Sequence, residues 1–318
     1  DKPMAINSQN FELLRKAFEI AHKKDLKLYD IMTERFEITN ILQRELSRIP
    51  GIFGTLEKGT PENPAIVMES IHYFLKNVSG NALTRPVWFF DVIQEGEGMT
   101  DVATHLVDLV QWECFPEQII NYNKDIQLLN SRHWPTNLTI GEFKTVTKQA
   151  AFPDYLKKNI VNDSILQVYA NGEINYKLKG VCVRISALWN YKALEGGDSH
   201  YSLLRGTKAD LLIKQGAEQH FKPTLYIINK SGLLNENVLL RQISNLQKKY
   251  PGIGLKKINQ DFEVIIPEKY KVGHEAHFAR VTKNYLDYLK GKEMPAWEVP
   301  NMLAKYYITT GALKMAVK

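Results

Sequence analysis

The stretch EGEGMTDVATHLVDLVQW, residues 95–112, sets an aspartate, a histidine and a second aspartate into an otherwise apolar segment. On a helix, positions 101, 105, 108 and 112 follow by steps of four, three and four, so Asp101, His105, Asp108 and Trp112 share one face. Met99, Val102, Ala103, Leu106, Val107 and Val110 fill the rest, which predicts a helix buried over most of its surface. Carboxylates and an imidazole in such a helix cost desolvation energy unless they are paired or face a cleft. Gly96 and Gly98 ahead of it let a backbone or a ligand approach the helix start closely. From these residues alone His105 is either a proton-transfer group, oriented by Asp101 and raised in pKa by it, or a core histidine with Asp101 as a helix-start acid.

The surrounding chain sets the class. With 318 residues, 44% apolar and 24% charged, it is long enough for a large core and two domains. No apolar run reaches the roughly 18 residues of a membrane span, so a water-soluble protein is expected, with cytoplasm and periplasm both open. Cys114 and Cys182 are too few for a disulfide scaffold or thiolate metal site, although one bridge between them stays open. The net charge of +6 is spread and mixed with acids, and the densest basic run, QKKYPGIGLKKI at 247–258, lacks interleaved aromatics, so no nucleic-acid partner is expected.

Phe11, Leu14, Phe18 and Ala21 predict a helix from Ser8 to Lys24, followed by a short strand, LKLYDIM, at 26–32. ITNILQRELSR and AIVMESIHYFLKNV (65–78) read as helices, and RPVWFFDVIQ as a strand. After the 95–112 helix come many short β-type runs, among them TIGEFKTVT, SILQVYA, INYKLKGVCVRISALWNYKAL, YSLLRGTKADLLIKQ, PTLYIIN and FEVIIP, which predict a mostly antiparallel sheet. Helices at 274–291 and 299–316 close the chain.

Asp1-Lys2-Pro3 ahead of a helix, TERF at 33–36 with Arg35 and Phe36, the Gly-rich turn and Asp-x3-His-x2-Asp spacing of Asp101, His105 and Asp108, and RGTKADLLI at 205–213 occur in an order that resembles the Gfo/Idh/MocA oxidoreductases. The resemblance implies an α+β fold: residues 1–40 as the C-terminal remnant of a dinucleotide-binding Rossmann domain, and 41–318 as a substrate and oligomerisation domain. In that domain a large, mostly antiparallel open sheet carries helices on one face. It implies hydride transfer between NAD or NADP and a hydroxyl of a sugar or polyol substrate, with Lys2 beside the nicotinamide and His105 and Asp101 as acid/base. Lys2, Pro3 and Arg35 are then expected near the cofactor, and Asp108, Asp198 and His200 near the substrate. A homo-oligomer through the open sheet is implied as well.

Family members carry a Gly-x-Gly-x-x-Gly turn ahead of the lysine motif; GIFG, EGEG and PGIG do not supply it here. The sequence is therefore expected to be a C-terminal portion that binds dinucleotide poorly by itself. Asp198 and His200 in GGDSHYS either line a polar cleft or close a hairpin turn. His274 and His277 lack zincin spacing and read as a helix start, and His133 with Trp134 reads as loop. Two rivals remain: a non-catalytic sugar-binding or assembly module of the same fold, and a metal-dependent hydrolase built on Asp101, His105 and later histidines.

Overall fold

The computed structural model describes residues 2–78, 81–193, 196–230 and 232–317; Asp1 of the lysine motif lies outside them. In chain order its elements are α1 (Ser8–Lys23), α2 (Ile38–Ser47), β1 (Ile66–Leu75), a small hairpin of β2 (Asn77–Val78) and β3 (Asn81–Ala82), and α3 (Ala103–Cys114). Then come β4 (Ile126–Thr139), α4 (Ile140–Thr147), β5 (Ile160–Val161), β6 (Ile165–Leu178), β7 (Val181–Lys192), β8 (Ser199–Arg205), β9 (Ala209–Gln215) and β10 (Thr224–Asn229). The chain closes with α5 (Glu236–Gln247), β11 (Gly254–Ile258), β12 (Asp261–Ile265), α6 (His274–Leu289) and α7 (Glu298–Ala316).

One ten-stranded sheet organises these elements in the order β11-β12-β10-β9-β8-β1-β7-β6-β4, with β5 added beside β6. Its pairs are antiparallel except β1 with β7, which run parallel with Met68 opposite Ile185 and His72 opposite Trp189. This is an α+β fold with a large open sheet. Side chains alternate across it, so Met68, Ile185, Ile174 and Leu204 enter the same core as α2 and α3, while Val67, Glu69, Ile71 and Tyr73 point to the opposite, half-open face. Gln43 of α2 stitches helix to sheet, donating to Leu211 O at 3.1 Å and accepting from Ser202 Oγ at 2.9 Å.

A second, smaller core lies at the other side of α7. Phe11, Leu14 and Phe18 of α1 bury one stripe against Met302 and Tyr306, each worth about 1.5–3 kcal/mol when taken from water. Asn7 starts α1 by accepting from Asn10 N at 2.8 Å.

Four expected elements differ. Residues 65–78, read as a helix, form β1: its near-continuous apolar run fits both periods, and the central place between β7 and β8 decides for strand. The RPVWFFDVIQ strand is instead a short 3-10 turn over Val87–Phe90, whose rings pack with Phe74 and Trp189 rather than entering a ladder. Residues 140–147, read within a β run, are α4, begun by a reciprocal capping box between Thr139 and Glu142. LKLYDIM pairs with no strand among the described residues; Tyr285 Oη donates to Lys27 O at 3.2 Å and Tyr29 stacks on Tyr285, so side chains hold it to α6. Cys114 and Cys182 are free thiols. Among the described residues no helix is long and apolar enough to cross a membrane.

Candidate active site

α3 begins at Ala103, two residues later than a helix over the whole stripe would, and this sets the chemistry ahead of it. The preceding turn is glycine-dependent. A Cβ on Gly98 would lie 1.8 Å from Ala170 O, so only glycine lets this turn lie against β6. Gly96, at φ +92°, lies against the N-terminal segment, where an added Cβ would be 2.9 Å from the Ile6 side chain. The turn thus joins the sheet, α3 and the segment that carries Lys2.

Asp101 is buried in that turn and pairs with Lys2. It does not orient His105, and His105 is not raised. Because Asp101 precedes the first helical residue, its carboxylate turns to Lys2. His105 is left with Nδ1 buried and without a protein partner. Burial first, and the Lys2 charge second, push its pKa well below the ordinary histidine value, so the imidazole is neutral at physiological pH. Pro3 follows Lys2, half-buried.

A cleft of about 280 Å³ opens beside this pair, lined by Phe74, Phe89, Trp189, Glu95, Gly98 and Asp101 among others. Glu95 is pushed up to about 7, by burial first and by Asp101 second. At the rim His133 Nδ1 and Glu97 Oε2 are 2.7 Å apart, and the imidazole lies 4.8 Å from the Tyr169 ring centre. A larger depression of about 420 Å³ lies at Glu69, Tyr201 and Lys214, side chains that share a row on the opposite sheet face. His200 also lines that depression; the smaller cleft is the one that the Lys2–Asp101 pair adjoins, and we take it as the site.

Asp108 and Arg35, expected at substrate and cofactor, are brought together with each other instead. Arg35 donates to Asp108 from Nε at 2.6 Å and from Nη2 at 2.7 Å, and to Glu298 from Nη1 at 3.0 Å. Lys305, fully buried, donates to Asp108 at 3.0 Å and pairs with Asp30 at 2.6 Å. Burial pushes the Asp108 carboxyl up, but the two cations outweigh it and hold it well below the usual carboxylate range. Burial outweighs the pull of Arg35 on Glu298, which is raised. The side chains of Arg35 and Asp108 are 9% and 3% exposed, so their charged ends serve this network rather than an open surface.

Asp198 and His200 form a separate cluster behind the cleft. Asp198 Oδ2 lies 2.9 Å from His72 Nδ1 and accepts from Lys76 at 2.5 Å; His72 Nε2 lies 2.7 Å from Ser70 Oγ. His72 stacks on Trp189 at 5.0 Å, which links the cluster to the cleft wall. His200 Nε2 and Asp198 Oδ1 are buried without partners. His274 and His277 stand in the first turn of α6, as read, and among the described residues no group of three or more His, Cys, Asp or Glu side chains is placed to hold a metal ion, so the hydrolase alternative has no ligand set there.

Sequence reading missed Glu95, Arg85, Trp189, Lys305 and Glu298. A lysine amid the apolar run of α7 and a glutamate two residues before Glu97 were signals of a kind, but neither has a partner nearby in sequence.

Residues 42–317 match the family model described as "Putative oxidoreductase C terminal domain". The chain belongs to the Gfo/Idh/MocA oxidoreductase family. It is similar to the crystal structure of a "putative oxidoreductase" from Parabacteroides merdae, with 54% identity over 100% of this chain and 73% of that one and a TM-score of 0.97. Its fold is also that of levoglucosan dehydrogenase in complex with NADH and levoglucosan (10% identity, TM-score 0.57, 99% of this chain and 70% of that one). The transcriptional regulator Gal80p from Kluyveromyces lactis shares it too (13% identity, TM-score 0.59, 99% of this chain and 66% of that one). No curated protein matches the sequence.

Proposed function

We propose that the protein is an NAD(P)-dependent dehydrogenase that exchanges hydride between the nicotinamide and a hydroxyl-bearing carbon of a sugar or polyol. The observation that carries this reading is the pairing of Lys2 with Asp101, which lines the cleft, with a neutral His105, its buried Nδ1 unpartnered, close enough to feel the Lys2 charge. The relative holding NADH and levoglucosan supports it by fold.

Oxidising an alcohol removes the O–H proton as hydride leaves carbon, so the site needs a base and a cation near the oxygen. The neutral imidazole of His105 takes the proton, the Lys2 ammonium stabilises the developing alkoxide, and Asp101 anchors Lys2. The nicotinamide, when bound, supplies the hydride acceptor. Lys2 and Pro3 fit its ring end; Arg35 supports α3 through Asp108 rather than touching the cofactor. Asp198 and His200 shape the wall behind Trp189.

In this reading residues 1–40 are the end of a Rossmann domain and 41–318 the substrate domain. In support, α1 builds its own small core on α7, and no Gly-x-Gly-x-x-Gly turn occurs in the sequence. The half-open sheet face would join copies into a homo-oligomer. The fold shared with Gal80p supports the alternative, a sugar-binding or assembly module without catalysis.

Incubating the protein, joined to its dinucleotide domain, with NAD or NADP and a panel of hexoses and polyols decides between them. Formation of reduced nicotinamide with a panel member is expected; binding of a sugar with no reduction by either cofactor would favour the binding module.

A further inference from the structure

Arg85 packs on two rings that line the cleft and is held there by backbone rather than by an acid. Its Nε donates to Phe74 O at 3.1 Å and its Nη2 to Tyr73 O at 2.9 Å. The guanidinium carbon sits 4.4 Å from the Phe89 ring centre and 5.0 Å from that of Trp189. Phe74, Phe89 and Trp189 all line the cleft that holds Asp101. The neighbouring cations are balanced, Lys2 by Asp101 and Lys76 by Asp198. Among the described residues Arg85 makes no ion pair, and its Nη1 has no protein acceptor.

A half-buried cation without a counter-ion is costly, and here the ring faces and two carbonyls offset only part of that cost. Burial accordingly lowers its pKa, with Asp198, Glu95 and Asp101 acting in the opposite sense without touching it. What the arrangement provides is a planar donor with a fixed plane and an unused edge, the form that recognises carboxylate and phosphate oxygens.

We propose that Arg85 binds an oxyanion, carboxylate or phosphate, carried by the sugar whose hydroxyl faces Lys2 and Asp101. The substrate class is thus an acidic sugar rather than a neutral one. This rests on the reading of the cleft as the substrate site, and it adds a specificity residue to it.

Calorimetric titration of the protein with glucose, glucuronate and glucose 6-phosphate tests the proposal. At least one anion should bind about tenfold more tightly than glucose, its identity telling carboxylate from phosphate. Arg85→Gln should remove that preference and Arg85→Lys should retain part of it, because charge remains while the planar edge is lost. Far-UV circular dichroism reports whether Arg85→Gln folds; if it does not, Arg85→Lys and a salt series carry the test, with the preference falling in both. Equal affinity for all three ligands, no binding of either anion, or a preference unchanged in the variants would overturn the proposal. Reduction of NAD or NADP by a neutral sugar without anion preference sinks this inference alone. Anion preference with no hydride transfer leaves Arg85 standing and sinks the dehydrogenase reading.

Discussion

His105 stays uncharged because its ring is buried beside the Lys2 ammonium. Its folded pKa is depressed below the unfolded value near 6.5, so its contribution to stability is complete above that pH. It is lost as pH falls, at about 1.4 kcal/mol per pH unit while the unfolded chain holds the extra proton. His200, lowered to about 4 by burial first, acts in the same sense. The raised carboxyls, Glu95 and Glu298 among them, act in the opposite one, so the test is a difference. The loss of urea stability between pH 8 and pH 5 should shrink in His105→Gln relative to wild type; an equal loss would show that the histidine titrates alike in the folded and the unfolded chain. At this scale the sequence displayed Asp101, His105 and Lys2, and the structure pairs Lys2 with Asp101. Their partnerships were hidden, because Asp101 stands next to His105 along the chain and next to Lys2 only in space.

Gly98 fixes how the turn ahead of α3 lies against β6. Its amide donates to Tyr169 O at 3.3 Å, and an added methyl would meet Ala170 O at 1.8 Å. Gly98→Ala should cost at least about 3 kcal/mol in urea unfolding, through displacement of backbone rather than of a flexible side chain. A loss under about 1 kcal/mol would mean that the turn moves freely against β6. α1 and α6 were legible because each buries one stripe, and β6 to β9 because their β-type runs are broken by turn residues. β1 was not, since a central strand covered on one face and half-covered on the other loses the polar alternation that marks a strand. α4 was legible and overlooked: Thr139 and Glu142 three residues apart are a capping box, a helix start that β-type residues nearby disguised.

Across the molecule, the network of Asp30, Arg35, Asp108, Glu298 and Lys305 ties the N-terminal segment, α3 and α7 into one body. Breaking a buried network by removing one partner strands the remaining charges. Asp108→Ala should destabilise by about 3–5 kcal/mol, and Arg35→Met with Asp108→Leu together by less than the sum of the two. Additive costs in that cycle would show that the pair is uncoupled. No local pattern announces such a network, because its members are spread from residue 30 to residue 305. The order of motifs along the chain, by contrast, was readable, and the family and the fold class followed from it.

The central claim is that Lys2 and His105 handle the proton and the alkoxide of an alcohol undergoing hydride transfer. The most direct measurement is steady-state turnover of the protein joined to a Gly-x-Gly-x-x-Gly dinucleotide-binding domain, comparing wild type with Lys2→Ala and His105→Ala under saturating cofactor. Each variant should lose on the order of a hundredfold in kcat while remaining folded by far-UV circular dichroism. Turnover within a few-fold of wild type in both variants would contradict the account.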